Sequence, residues 1–365
     1  MADQNQRLIS LDALRGLTIM FMILVNNPGS WKYVLHPLGH AKWHGCTPTD
    51  LVFPFFLFIM GAAMAFSLSK YYNSGASLWP VYKKIIRRTV ILFLLGFILN
   101  YAFEFDLSAV RIPGVLQRIA LCYFFSAVMV IHLKPRTQII TSVLLLLAYW
   151  IMMVWIPFEG KGADHWAYES NFAKFFDSLI IKGHTWKPDF DPEGIISTIT
   201  SIVTTMSGYF TGLWLRRKMD ENEKIIHMFT AGNIMIVIGL FLEYWMPINK
   251  SIWTASYVIY TSGIAIVFLA IFYWVVDIKG FKSIGTPFII FGSNAITVYF
   301  ASSLFGKILY TVRIGDSSLK ELLWSGFYEP VFGPWLGSVM YAVIFIAVWY
   351  AVAHVMYNKK VFIKI

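Results

Sequence analysis

The residues best equipped for chemistry crowd into one stretch, which runs His36-Pro-Leu-Gly-His40-Ala-Lys-Trp43-His44-Gly-Cys46-Thr-Pro-Thr-Asp50. Histidine exchanges its proton near neutral pH, so it suits general acid–base work, and it is also a common zinc ligand. His36, His40 and His44 recur every four residues, a spacing that on a helix would present three imidazoles to one metal. Pro37 and Gly39 break any such helix, so no metal is predicted there. Three imidazoles beside Trp43 and Asp50 mark a candidate site; the alternative is that each is a solvated loop residue.

A second group of polar residues sits in the apolar run before this stretch. Asp12 and Arg15 are three apart and can pair on one helical face. Asn26 lies near the end of the run, where Asn27-Pro28-Gly29 stops a helix. Charges inside an apolar run either form a structural pair or face a functional cavity. The chain has two cysteines, Cys46 and Cys122, which exclude a disulfide scaffold or a CxxC metal knuckle. It has no P-loop, no GxGxxG, no GxSxG elbow and no HExxH, so catalysis must come from scattered polar groups at helix ends.

The elements that position these groups are membrane helices. Hydrophobic residues make up 58% of the chain and charged residues 14%, with a mean hydropathy of +0.62. A soluble domain needs roughly 25% charged residues to wet its surface. Apolar runs near 9–27, 51–69, 89–103, 114–132, 138–156, 195–215, 226–246, 252–276, 285–306 and 332–357 predict an all-α integral membrane protein with about ten transmembrane helices. The first run carries Asp12 and Arg15 and has no small-residue cleavage site after it, so it is expected to be retained as a span.

The net charge of +10 is a topology signal. Basic residues cluster in alternate short loops: Arg7; Lys70, Lys83, Lys84, Arg87 and Arg88; Lys134 and Arg136; Arg216, Arg217, Lys218 and Lys224; Lys279 and Lys282; Lys359, Lys360 and Lys364. These are 17 of the 30 lysines and arginines, against five acids (Asp3, Asp220, Glu221, Glu223, Asp277). Short basic loops stay inside, which places both termini in the cytoplasm. No single basic patch of the kind that binds nucleic acid emerges. Residues 157–194, aromatic and acidic, are expected to cap the outer face. Ser318-Leu-Lys-Glu321 reads as a capping box opening a short interfacial helix. No internal repeat of the transporter kind is evident.

Several blocks resemble the heparan-α-glucosaminide N-acetyltransferase family, comprising the lysosomal enzyme and its bacterial relatives. They are RLISLDALRG at 7–16, Val25-Asn26, HAKWHGCTPTDLVFPFFLFIMG at 40–61, RIPGVLQR at 111–118, DPEG at 191–194 and KKVFIKI at 359–365. The resemblance runs from residue 7 to the end and implies one transmembrane acyltransferase domain over 1–365. It implies transfer of acetyl from cytosolic acetyl-CoA, a co-substrate, to an amine across the membrane. It also implies a homodimer and, with no long domain ahead of the match, a multi-pass protein of a bacterial cytoplasmic (inner) membrane. Glucosamine or a related amino sugar, or a glycan terminus, is the expected acceptor.

The family's catalytic histidine falls on His40 and its asparagine on Asn26. Asp50, Trp43, Arg111, Asp12 and Arg15 are expected to bind substrate. Arg118 and Asn294, with basic residues Lys83, Lys84, Arg87, Lys359 and Lys360, are expected to hold the co-substrate. Because His40 would be outside and CoA enters from inside, the pantetheine arm is expected to thread between helices. An O-acyltransferase of a surface glycan and a polytopic transporter are the alternatives. The residue eleven after Arg15 is asparagine, where related O-acyltransferases carry histidine, and that favours the N-acetyltransferase.

Overall fold

A computed structural model describes residues 8–75, 77–103 and 106–363; Asp3, Arg7 and Lys364, and the side chain of Lys282, lie outside the described residues. The helices are α1 (Ile9–Asn26), α2 (Val52–Ser67), α3 (Trp79–Tyr101), α4 (Val115–His132), α5 (Pro135–Trp155), α6 (Phe172–Ile180) and α7 (Ile195–Leu215). They continue with α8 (Glu221–Leu242), α9 (Ala255–Phe272), α10 (Lys282–Ser293), α11 (Ala295–Thr311), α12 (Leu319–Leu323), α13 (Glu329–Phe332) and α14 (Pro334–Asn358). A two-residue hairpin, β1 (Arg313–Ile314) with β2 (Ser317–Ser318), pairs Arg313 with Ser318 ahead of α12.

Among the described residues, seven helices are long and apolar enough to cross a membrane, and eight spans result if α10 and α11 count as one. Two further long helices miss that standard for physical reasons. The first half of α3 carries Lys83, Lys84, Arg87 and Arg88, so the helix begins ten residues before the expected apolar run. Val81 and Ile85 are buried on its other face, which extends the helix through the charges. In α7, serines and threonines dilute the apolar character, yet Thr200, Ser201, Thr204 and Thr205 are buried in the bundle. Their hydroxyls return to backbone carbonyls one turn back or reach across to other elements, as in Ser201 to the Ser197 carbonyl at 2.8 Å.

Small residues bring the central helices together. A Cβ on Gly61 of α2 would lie 1.8 Å from the Thr205 carbonyl oxygen of α7, and one on Gly208 would lie 1.9 Å from that of Phe58. Helices approach this closely only where a side chain is missing on each face. The run expected at 285–306 is two helices, α10 and α11, meeting at 70° at Asn294. Asn294 spans this break: its Nδ2 donates to the Val361 carbonyl at 3.0 Å and its Oδ1 accepts from the Ile363 amide at 3.0 Å. Residues 157–194 carry α6 and fold over one end of the bundle, where Trp166, Phe172 and Phe190 pack with Tyr149, Met153, Ile196 and Ile252. The capping box is present, with the Ser318 amide donating to Glu321 at 2.7 Å and the Glu321 amide to Ser318 Oγ at 3.2 Å.

Candidate active site

The histidine-rich loop is built from short-range hydrogen bonds that leave one imidazole half-open. Asn27 ends α1, and the Gly29 amide donates to the Ser338 carbonyl of α14 at 3.0 Å, which pins the start of the loop. The backbone then makes a 3-10 turn over His36–Leu38 and another over Pro48–Leu51. Thr47 caps the second turn and Asp50 returns the bond, a capping box. Asp50 Oδ2 accepts from the Thr47 amide, the Thr47 hydroxyl and the Ala41 amide, each at 3.0 Å. With Oδ2 saturated, Oδ1 is left facing His40 Nδ1 at 2.6 Å. Asp50 is 1% exposed and the His40 side chain 49%. The buried carboxylate therefore fixes the ring, with Nδ1–H donating to it and Nε2 presenting a lone pair to the open side.

A lysine completes this group. Lys250 Nζ lies 3.2 Å from His40 Nδ1, 3.3 Å from Nε2 and 3.8 Å from Asp50 Oδ1. It comes from the tight turn between α8 and α9, whose shape is set by Asn249 and Thr254. The Asn249 amide donates to Thr254 Oγ1 at 3.1 Å, and the Ile252 amide to Asn249 Oδ1 at 3.1 Å. Trp253 in this turn has φ +51°, an unusual value for a bulky residue that persists only where neighbours over-determine it. Its Nε1 donates to Thr204 at 3.1 Å, its carbonyl accepts from Thr200 at 2.6 Å, and Arg118 stacks on its ring at 5.1 Å. Burial pushes the Lys250 pKa down, against Asp50 and Glu193, which favour the ammonium.

Around the dyad the other expected residues take separate places. Trp43 Nε1 donates to the Trp166 carbonyl at 2.8 Å, and its ring meets Tyr168 and Phe190 edge-on, so it docks the loop onto the cap. Arg111 grips Asp191 through Nε and Nη2, both at 2.7 Å, and also bonds Glu193. Burial opposes the Arg111 charge, but Glu193 and Asp191 outweigh it and raise its pKa. Burial likewise opposes the Glu193 charge, and Arg111, Arg118 and Lys250 outweigh it, holding the carboxyl below its usual range. Glu193 thus links the arginine cluster electrostatically to Lys250 and the dyad. Arg118 is buried and donates to the Gly194 carbonyl at 3.1 Å and to Ser197.

Asn26 is exposed at the last turn of α1, and its side chain makes no hydrogen bond among the described residues. His36 opens its 3-10 turn and is exposed, while His44 Nδ1 lies 3.3 Å from Asn249 Nδ2 and burial lowers its pKa. Among the described residues no three His, Cys, Asp or Glu side chains converge to ligate a metal. Burial pushes the Cys46 thiol up to about 12, which leaves it protonated and a poor nucleophile.

A second polar region lies at the opposite end of α1, eleven residues or about 16 Å along the helix from Asn26. Arg15 Nη1 donates to Asp12 at 2.9 Å, and Arg15 lines a cavity of about 330 Å³ with Met60, Ser67, Arg88, Asn294 and Ile363. Lys83, Lys84, Arg87, Lys359 and Lys360 are exposed, and of these none lines the cavity. Asp12, Arg15 and Asn294 therefore gather here, away from His40, whereas Arg118 belongs to the His40 end. Between the two ends runs an apolar seam of Ile19, Met22, Phe56, Leu116, Ile119, Ile296 and Tyr299, without room for a water molecule. Phe56 and Ile296 line both the cavity and the seam, and Tyr299 is within electrostatic reach of Glu193 and Arg111.

Lys250 and Glu193 escaped the sequence reading as site residues. Lys250 stands in a short Asn249-Lys250-Ser251 stretch with no motif around it, and Glu193 was visible only as part of the DPEG block.

The helices define a multi-pass membrane protein that carries, at one bundle end, a half-open histidine on a buried carboxylate. The chain is 30% identical over 98% of its length to human (Homo sapiens) heparan-α-glucosaminide N-acetyltransferase and 31% identical to the mouse (Mus musculus) protein, covering 60% of each. These matches establish a family-level relationship to heparan-α-glucosaminide N-acetyltransferase. The chain spans about 60% of the length of these curated relatives. Residues 7–181 also match a domain of unknown function, DUF5009.

Proposed function

We propose that this protein is a transmembrane N-acetyltransferase that moves acetyl from cytosolic acetyl-CoA to the amine of glucosamine or a related amino sugar across a bacterial inner membrane. The observation that carries the reading is the half-open His40 imidazole clamped on buried Asp50, one helix-length from a separate cavity edged by Arg15 and Arg88. In this reading the chain has ten spans with both termini inside, residues 157–194 cap the outer face, and the enzyme works as a homodimer.

The chemistry follows from the parts. An amine attacks a thioester only when neutral, so a base must take its proton, and His40 Nε2 is placed to do so. Attack develops negative charge on the carbonyl oxygen, and Asn26 supplies an amide donor for it. The carbon–nitrogen bond forms as the carbon–sulfur bond breaks, and the thiolate receives the proton. The nucleotide end of CoA rests at the cavity, where Arg15, Arg88 and the nearby basic residues Lys83, Lys84, Arg87, Lys359 and Lys360 offer counter-charge to its phosphates. The pantetheine arm follows the seam past Phe56 and Tyr299, which must part to admit it. The ions of Arg111, Asp191 and Glu193 surround the acceptor's polar groups.

The test is to incubate the purified protein with acetyl-CoA and a panel of amino sugars and follow free thiol. Thiol release that depends on an amino sugar supports the reading. Release that instead depends on a sugar hydroxyl with the amine blocked would identify an O-acyltransferase. Sugar uptake into liposomes without thiol release would identify a transporter.

A further inference from the structure

We propose that Lys250 is a positioning residue for His40, its ammonium held over the imidazole by the turn between α8 and α9 so that the ring starts each cycle as a proton acceptor. This rests on the reading of His40 as the base. The geometry distinguishes an electrostatic role from an ordinary hydrogen bond. Lys250 Nζ is 3.2 Å from Nδ1 and 3.3 Å from Nε2. A point nearly equidistant from both nitrogens must lie above the ring face, because an in-plane approach would collide with Cε1–H. The in-plane lone pair of Nε2 therefore remains open to an incoming amine.

The charges around the ring explain what the cation does. His40 is faced by Asp50 from the 3-10 turn and by Lys250 from the turn between α8 and α9. Asp50 alone would favour the imidazolium, which cannot accept a proton. A cation at 3.2 Å opposes that second proton. Lys250 is itself faced by Asp50 and Glu193, which favour its charge, by Arg118 and burial, which oppose it, and by Cys46. The turn is also unusually constrained, through Asn249, Thr254, the left-handed Trp253 and a 2.7 Å bond from the Gly45 amide to the Ile248 carbonyl. That last bond ties the lysine's turn directly to the histidine's loop.

The experiment uses the full chain in detergent, with Lys250→Met and Lys250→Arg. One readout is kcat/KM for thiol release as a function of pH. The other needs no turnover: titration of the His40 ring by NMR in histidine-labelled protein, its resonance assigned with His40→Gln. In Lys250→Met the acid limb and the ring titration move together to higher pH, by about one unit, while Lys250→Arg stays near wild type and acetyl-CoA binding is unchanged. An unmoved ring titration in Lys250→Met overturns the proposal, as does lost activity with an unshifted acid limb, which marks a purely structural side chain. If Lys250→Met elutes as aggregate, Lys250→Gln, which keeps a donor without the charge, takes its place under the same criteria. If the wild type acetylates no amino sugar, the ring titration still decides the role of Lys250, and the failure belongs to the activity.

Discussion

At the scale of residues, the site depends on a division of labour within one carboxylate. Asp50 Oδ2 is saturated by three donors and Oδ1 holds the imidazole. Removing the proposed base, His40→Ala, is expected to lower kcat by roughly 10²–10⁴-fold with acetyl-CoA binding retained. His36→Ala and His44→Ala should keep most activity, since neither imidazole meets Asp50. A near wild-type rate for His40→Ala, read as thiol release, would remove it from the mechanism. In Asp50→Asn an NH₂ group replaces an acceptor where donors already converge. That variant is expected to lose the orientation of His40 and to cost about 1–3 kcal/mol of stability, measured by thermal unfolding. Asn26→Ala should cost about 10²–10³-fold in kcat if its amide meets the developing oxyanion, without shifting the acid limb of the pH profile.

At the scale of elements, packing through absent side chains makes specific claims. Because a Cβ on Gly61 would meet the Thr205 carbonyl at 1.8 Å, Gly61→Ala must push α2 and α7 apart. A cost of about 1–3 kcal/mol is expected, read as a lower Tm in detergent. If the Tm does not fall, the close approach of the two helices is not needed for stability. This scale also separates what the sequence reveals from what it conceals. Hydropathy located every long helix, because lipid demands apolar length. It misplaced the start of α3, where Lys83 to Arg88 continue a helix whose other face is buried, and it missed the bend at Asn294, where no proline marks the break. The candidate site was legible only in part. The loop of His40 and Asp50 announces itself by composition, whereas Lys250 reaches it from 210 residues away, through pairing that no local pattern encodes.

At the scale of the whole molecule, the charge pattern and the cap each carry a test. With Cys46 and Cys122 replaced by alanine, single cysteines at Lys42 and Lys218 should label from opposite sides of intact cells with an impermeant thiol reagent. Labelling of both from outside would overturn the ten-span map. The cap meets the bundle where Asp177 of α6 accepts the Ile195 amide at the start of α7 at 3.0 Å. Burial, opposed by this bond, pushes the Asp177 carboxyl up to about 6. A carboxyl raised on folding binds its proton more tightly in the folded state. Its contribution is therefore greatest at low pH and is lost as pH rises from about 4 through 6. Asp177→Asn should flatten the pH dependence of Tm across that window; an unchanged slope would place it elsewhere.

The placement of α1 has a consequence for how the protein is made. Its first amides are closed by a residue far along the chain: Ile9 and Ser10 donate to Asp277 at 3.2 and 3.0 Å, and Gly16 lies against Phe288 and Gly292 of α10. At a synthesis rate of about 5–20 residues per second, those partners emerge roughly 13–54 s after α1. During that interval α1 carries Asp12 and Arg15 without the α10 backbone that Arg15 meets in the finished fold, its Nη1 lying 3.5 Å from the Gly292 carbonyl. The wait favours retention of α1 beside the insertion machinery until α10 arrives, and a ribosome stalled after α9 should leave α1 still crosslinkable to that machinery.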